Sequence, residues 1–314
     1  MALINGVLGP IDTNDMGITL IHEHLIGIDW NLRMSMPGLV DDKASNDYMA
    51  GSIQAAQTAC GIRTIGDLTP WSLGRDPEFL AKLSRKTGVN IFCACGFYAD
   101  SQPFFRNIEP GQLVDYLVKE IKDGIADTGI KPAAIKCATA EKGIDTQNEK
   151  LLTAAARAQK KTGLPLFTHS VPCNKSGYAQ QDLFEREGVD LRHVVIGHCG
   201  DSNDIIYLES ILKRGSYIGL DRFGQDKYNL LENRLQTMLE LLHRGWLDRL
   251  VISHDHILFM EYGSRGDKEP PEVDLGYIHQ RVIPWLKENG VSQREIDTIL
   301  IDNPKKIMEI GSFA

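Results

Sequence analysis

The chain has 314 residues, 42% hydrophobic and 24% charged, with a formal net charge of −8. That is apolar material for one large core or two domains, with a charge content ordinary for a globular protein. The acidic balance and the lack of any basic run argue against nucleic acid or an anionic membrane as a partner. The opening stretch MALINGVLGPIDTND has neither a basic n-region nor a long apolar run, so no signal peptide or membrane span is expected there. The six cysteines are Cys60, Cys93, Cys95, Cys137, Cys173 and Cys199, none in a CxxC pair. They read as reduced core thiols of a cytoplasmic protein.

In chain order, Ile18, Thr19, Leu20 and Ile21 form a short, partly β-branched apolar run that predicts a buried strand. It runs into His22-Glu23-His24. Side chains alternate along a strand, so the two imidazoles share a face, about 6–7 Å apart, and Glu23 points the other way. A loop over 27–42 and a helix over 43–60 follow, the helix stopped by Gly61. The second strand is 62–68. Asp76-Pro77 signals an N-cap with proline at the first helical position, and that helix runs to Gly88. The third strand, 89–95, ends at Gly96-Phe97-Tyr98. After a helix over 110–125 comes a fourth strand, 133–138, apolar except for Lys136. A helix over 148–161 precedes the fifth strand, 164–169, which ends on His169. The sixth (193–198) ends on His198, the seventh (216–221) leads into Arg222, and the eighth (250–255) ends on Asp255, with a helix between each pair. The tail adds a helix over 292–300 and a cap-plus-proline start at Asn303-Pro304.

Eight strands, each followed by a helix and with no linker between them, predict an α/β fold of one domain over 1–314, a (β/α)8 TIM barrel. A doubly wound sheet would more usually show a glycine-rich phosphate turn after its first strand, and no GxGxxG stands there.

Functional residues of such a barrel sit at the carboxyl ends of its strands. Here those ends carry His22, His24, Tyr98, Lys136, His169, His198, Arg222 and Asp255. Four imidazoles and one carboxylate are more than a single cation needs. Two cations about 3.5–4 Å apart, with bridging ligands, would use them all. Lys136 is the odd member, because an ammonium among cations is repelled. It makes sense as a carbamate (N6-carboxylysine) formed with CO2, which is anionic and offers two bridging oxygens.

This arrangement resembles the amidohydrolase superfamily. The words LIHEHL, SLGRD, DTGIKPAAIKCAT, LPLFTHS, VIGHCGD, GSYIGLDRFG and VISHD, with the later RVIPWLKENGV and DNPKK, are similar over essentially the whole chain to the phosphotriesterase family. Tyr98 after Gly96-Phe97, and Arg222 in GLDRFG, resemble its lactonase branch; true phosphotriesterases of the family carry a tryptophan and a histidine there. The resemblance implies a phosphotriesterase-like lactonase with weak organophosphate hydrolysis, a homodimer, and two divalent metal ions per chain, zinc first and iron, cobalt or manganese as alternatives. Their ligands would be His22, His24, Lys136, His169, His198 and Asp255, and a metal-bridged hydroxide would attack a small lactone or ester. Tyr98 would stabilise the developing oxyanion, Asp255 would take the proton, and Asp201 would receive any excess. Phosphotriester or amide hydrolysis as the main activity is the alternative, and a barrel that only binds metal or ligand would be expected to show a broken ligand set, whereas all six positions are filled.

Arg222 would hold a carboxylate, phosphate or amide of the substrate. The segment 256–276 starts apolar with Ile257, Leu258, Phe259 and Met260 and then turns charged, so Ile257 and Phe259 are candidate substrate contacts beside a wall unsuited to a long acyl tail. Each position has a plainer explanation too: Asp201 as the cap of the next helix, Tyr98 as a rim plug, Arg75-Asp76 as a cap with a surface ion pair, and Glu23, His254 and His256 as structural residues facing away from the site.

Overall fold

The structure, a computed structural model, describes residues 1–36, 42–99, 103–260 and 274–313. It opens with a hairpin too short to show a period in the sequence: β1 (Leu3–Gly6) pairs antiparallel with β2 (Gly9–Asp12). Ile4 and Ile11 from the hairpin join Met16, Ile21, Phe92, Phe167, Val195, Tyr217 and Val251 in one buried cluster. That cluster fills the barrel interior, and the hairpin closes the end where the strands begin.

The remaining strands are β3 (Ile18–Gly27), β4 (Ile62–Asp67), β5 (Asn90–Gly96), β6 (Ala134–Ala138), β7 (Leu166–His169), β8 (Val194–Ile196), β9 (Tyr217–Leu220), β10 (Leu250–Ile252) and β11 (Ile257–Met260). All pair in parallel, in the order β10-β9-β8-β7-β6-β5-β4-β3-β11. Both edge strands come from the single stretch 250–260. β10 pairs with β9 and β11 pairs with β3, while the Asp255 N–H donates to the His22 carbonyl at 3.1 Å and the His24 N–H to the His256 carbonyl at 2.9 Å. The eighth strand is thus broken in the middle, and its two halves close the cylinder.

Helices connect the strands on the outside: α1 (Trp30–Ser35), α2 (Asp42–Cys60), α3 (Pro77–Thr87), α4 (Pro110–Asp123), α5 (Thr146–Thr162), α6 (Ser176–Arg186), α7 (Ile205–Lys213) and α8 (Leu231–His243). α1 lies in the stretch expected as loop. α9 (Ile283–Glu288), α10 (Gln293–Asp297) and α11 (Asn303–Glu309) complete the chain. The Asp76 carboxylate accepts the Phe79 N–H at 2.9 Å, and Gly88 takes the left-handed conformation that stops α3, as the sequence signals predict. The Asn303-Pro304 signal turns out differently. A π-helical turn carries the chain straight into α11, and the Asn303 amide donates instead to the carbonyls of Leu247 and Leu250, both at 2.8 Å.

The two-residue period decides what enters the barrel. Val194, Ile196, Leu250 and Ile252 pack outward against helices, whereas Val195 and Val251 pack inward. Ile135 and Cys137 face outward and Ala134 faces inward, which puts Lys136 on the inner wall. Cys93, Cys95, Cys137 and Cys199 are core thiols as expected, but Cys60 at the end of α2 is only half-buried and Cys173 is exposed. On β3 the pairing with β4 shifts between Leu20 and Glu23. The extra residue lets Ile21 fill the interior while His22 and His24 still aim at the open end. Among the described residues no helix is long and apolar enough to cross a membrane.

Candidate metal centre

Side chains on six strands, or in the turns just past them, converge on one buried polar cluster. Asp255 Oδ1 lies 3.3 Å from His22 Nε2 and 3.1 Å from His24 Nε2, and Oδ2 lies 3.8 Å from His198 Nε2. His198 Nε2 and His169 Nδ1 share a hydrogen bond at 2.8 Å, and Lys136 Nζ is 2.5 Å from His22 Nε2. The Tyr98 ring meets the His169 ring edge-on, centroids 5.2 Å apart. All six candidate ligands, and Tyr98, are therefore brought together.

The backbone is strained where the cluster is tightest. His198 and Asp255 adopt φ of 61° and 50°, left-handed values that cost free energy for residues other than glycine and persist only where surroundings enforce them. At His198 the reason is visible. The turn lets its backbone N–H donate to Asp221 Oδ1 at 2.7 Å while its ring Nδ1–H reaches the same oxygen at 2.9 Å. The other Asp221 oxygen accepts from His22 Nδ1 at 2.5 Å. One carboxylate thus fixes the tautomer of two histidines from different strands and leaves both Nε2 lone pairs facing the cluster. A Cβ at Gly219 would come within 2.6 Å of Asp221 Oδ2, and one at Gly197 within 3.1 Å, so glycines make its room. His24 is held less directly: its Nδ1–H bonds Thr69 Oγ1 at 2.9 Å, and Thr69 in turn bonds Asp67.

Sequence reasoning passes over Asp221, Thr69 and Asp67. Asp221 was legible as a carboxylate ending an apolar strand two residues after a glycine.

Electrostatics favour cation binding. Burial pushes His22 down to about 4, and burial together with His198 holds His169 well below the usual imidazole value, so both rings stay neutral. Burial alone would raise Asp255, but the surrounding imidazoles of His198 and His24 outweigh it and keep the carboxyl well below the carboxylate range. Burial lowers Lys136 to about 8, so much more of it is free amine at neutral pH than of an ordinary lysine, the form able to capture CO2. His22, His198 and Asp255 offer ligand atoms all within 4.8 Å of one another. Neutral imidazole, carboxylate and a reactive amine fit divalent cations, and His/carboxylate chemistry accepts zinc, iron, cobalt or manganese.

Arg222 lies at the rim of this cluster. Its Nε donates to Asp255 Oδ2 at 3.0 Å, its Nη1 to Asp201 Oδ2 at 2.8 Å, and its guanidinium sits 4.1 Å from the Tyr228 ring centre. Asp201 also faces buried Arg234 at 2.8 Å, an ion pair whose geometry falls short of a hydrogen bond. Asp201 does not cap the following helix; Asp204 does, accepting the Tyr207 N–H at 3.0 Å. Arg75 is likewise no surface group: it is buried and pairs with Glu120. Ile257 stands opposite His24 across the strand pair, and both Ile257 and Phe259 are half-buried. The charged part of the following segment, 261–273, lies outside the described residues.

The chain matches the phosphotriesterase family over residues 2–308. It is 39% identical over 323 residues to a phosphotriesterase homology protein of Mycobacterium tuberculosis, covering 98% of each chain. It is 36% identical over 302 residues to an aryldialkylphosphatase of Saccharolobus solfataricus (94% of this chain, 96% of that one). It is 28% identical over 345 residues to an N-acetyltaurine hydrolase of Xenopus tropicalis (96% and 97%). The solved structure of the phosphotriesterase from Mycobacterium tuberculosis superposes with a TM-score of 0.90 at 38% identity, covering 98% of both chains. This chain belongs to the phosphotriesterase family of the amidohydrolase superfamily, and it is a hydrolase built on a (β/α)8 barrel.

Proposed function

We propose that this hydrolase opens lactone rings with a pair of divalent cations, zinc first among them, held by His22, His24, Lys136 in its carboxylated form, His169, His198 and Asp255. Bound there, the cations would supply a Lewis acid for the ester carbonyl and a water acidified to near-neutral pH. The observation that carries the choice of lactone is the rim: Tyr98 beside His169 and Arg222 reaching to Asp255. The Tyr98 hydroxyl would steady negative charge growing on the carbonyl oxygen. Asp255 would take the proton of the attacking water and return one to the ring oxygen as the ester bond breaks. Arg222 stays cationic, its pKa raised by Asp255 and Asp201 against the effect of burial. A guanidinium does not give up its proton, so proton exchange between Asp255 and Asp201 would require Arg222 to move aside toward the substrate. There its donors would hold an amide, carboxylate or phosphate of the lactone.

Phosphotriester hydrolysis is the second reading, favoured by the similarity to the Saccharolobus aryldialkylphosphatase. An amide with an acidic tail, as the name of the Xenopus relative suggests, is the third. A hydrolysis screen of zinc-loaded protein against lactones of graded tail length, one aryl phosphotriester and one N-acyl amino sulfonate separates the three.

A further inference from the structure

We propose that Glu23 and His254, on the outer side of the barrel wall, are positioning residues that set Asp255 against His22 and His24. The eighth strand breaks between Ile252 and Ile257, and Asp255 stands in that break with its left-handed backbone. One carboxylate spans the break. Glu23 Oε1 accepts from Ser253 Oγ at 2.7 Å, from the His254 N–H at 3.0 Å and from His254 Nδ1 at 2.7 Å; Glu23 Oε2 accepts from the His256 N–H at 2.9 Å. The residues on both sides of Asp255 are therefore tied to the residue between the two histidines of β3.

Further bonds complete the splint. The Asp255 N–H goes to the His22 carbonyl at 3.1 Å, and Ser253 Oγ accepts the His22 N–H at 3.1 Å. His254 Nε2 accepts the Ile278 N–H at 3.4 Å, which anchors the assembly to the C-terminal helical region. Glu23 is fully buried, and among the described residues no lysine or arginine pairs with it. A buried carboxylate is expensive unless every lone pair is met. Four donors meet it here, and all of them belong to the residues flanking Asp255. An apolar residue would fill the same space without holding the break in register.

The inference rests on the proposed role of Asp255 as a cation ligand, and a zinc titration tests it apart from the choice of substrate. Metal-depleted protein is titrated with Zn2+ against a chromophoric chelator for the wild type, Glu23→Gln, His254→Asn and His254→Leu. Asn can replace the Nδ1–H donor and Leu cannot. Outer-sphere losses of this kind reach about 10–100-fold, so Glu23→Gln and His254→Leu should weaken zinc binding by that factor while His254→Asn stays within about threefold of the wild type. With a γ-lactone as substrate, kcat should fall in parallel with the zinc affinity and KM should move less than about twofold. Wild-type zinc affinity in Glu23→Gln and His254→Leu overturns the assignment, and so does a His254→Asn as damaged as His254→Leu. If Glu23→Gln does not fold, the two His254 variants decide. A wild type that opens no lactone defeats the proposed activity and leaves the zinc titration to judge Glu23.

Discussion

Asp221 Oδ1 receives both the backbone N–H and the ring Nδ1–H of His198, at 2.7 and 2.9 Å, while its second oxygen receives His22. A single carboxylate therefore orients candidate ligands on β3 and just past β8. An amide cannot accept from both rings with both of its ends. Asp221→Asn should turn one imidazole to the wrong tautomer and weaken zinc binding about 10–100-fold. Chelator competition measures it, and an unchanged affinity contradicts the shared clamp.

In the proposed centre Lys136 would be the residue that needs a chemical modification to serve as a ligand. Its buried amine, held at about 8, would capture CO2 and hold cations as the carbamate. On that proposal Lys136→Ala should lose activity by at least about 100-fold. Added short carboxylic acids with zinc should restore part of it. Full activity in the variant removes that role.

Acid sensitivity follows from the imidazoles. Burial lowers His22 from 6.5 to about 4. Between those values the unfolded chain binds more protons than the folded one, so stability rises with pH. The contribution is complete above about pH 6.5 and is lost as pH falls toward about 4, a change on the order of 3 kcal/mol. His169 acts in the same direction. Asp221 and Asp255 are held well below the usual range and lose their contribution only at lower pH. Metal-depleted protein should melt roughly 5 °C lower at pH 5 than at pH 7.5. A melting temperature that is flat over this interval contradicts the neutral-imidazole core.

Arg222 rests at the rim with acceptors in Asp255 and Asp201 and its guanidinium on Tyr228, and it would swing from there to reach the substrate. Arg222→Ala should raise KM about 10-fold for lactones bearing an amide, carboxylate or phosphate, the loss expected of one charge-assisted hydrogen bond. Plain alkyl lactones should show no comparable KM change. Equal changes across both sets would place Arg222 with Asp255 alone.

Much of the fold was legible because a parallel barrel strand is an apolar run that leads into polar residues at the open end. His169 ends β7, whereas His24 lies inside β3, which continues to Gly27, and His198 and Asp255 stand in turns past the ends of β8 and β10; alternation alone places Lys136 inward beside Ala134. What stayed hidden depends on contacts far apart in sequence. Glu23 reads as an outward residue, and it is one, but its partners stand 230 or more positions later. Asp221 meets His22 across 199 positions. The break in the eighth strand has no local signal either, since Ser253 to His256 looks like an ordinary strand end. The hairpin of β1 and β2 is too brief for periodicity to register.

With Tyr98 and Arg222 at its rim, this phosphotriesterase-family barrel is proposed to act on cyclic esters. The most direct measurement is kcat/KM of the zinc-loaded wild type for a series of γ- and δ-lactones, set against an aryl phosphotriester in the same buffer. Short or polar-substituted lactones should exceed the phosphotriester by about 10-fold or more, a difference of about 1.4 kcal/mol in transition-state binding. A phosphotriester as the better substrate, or hydrolysis confined to an N-acyl amino sulfonate, would contradict that proposal.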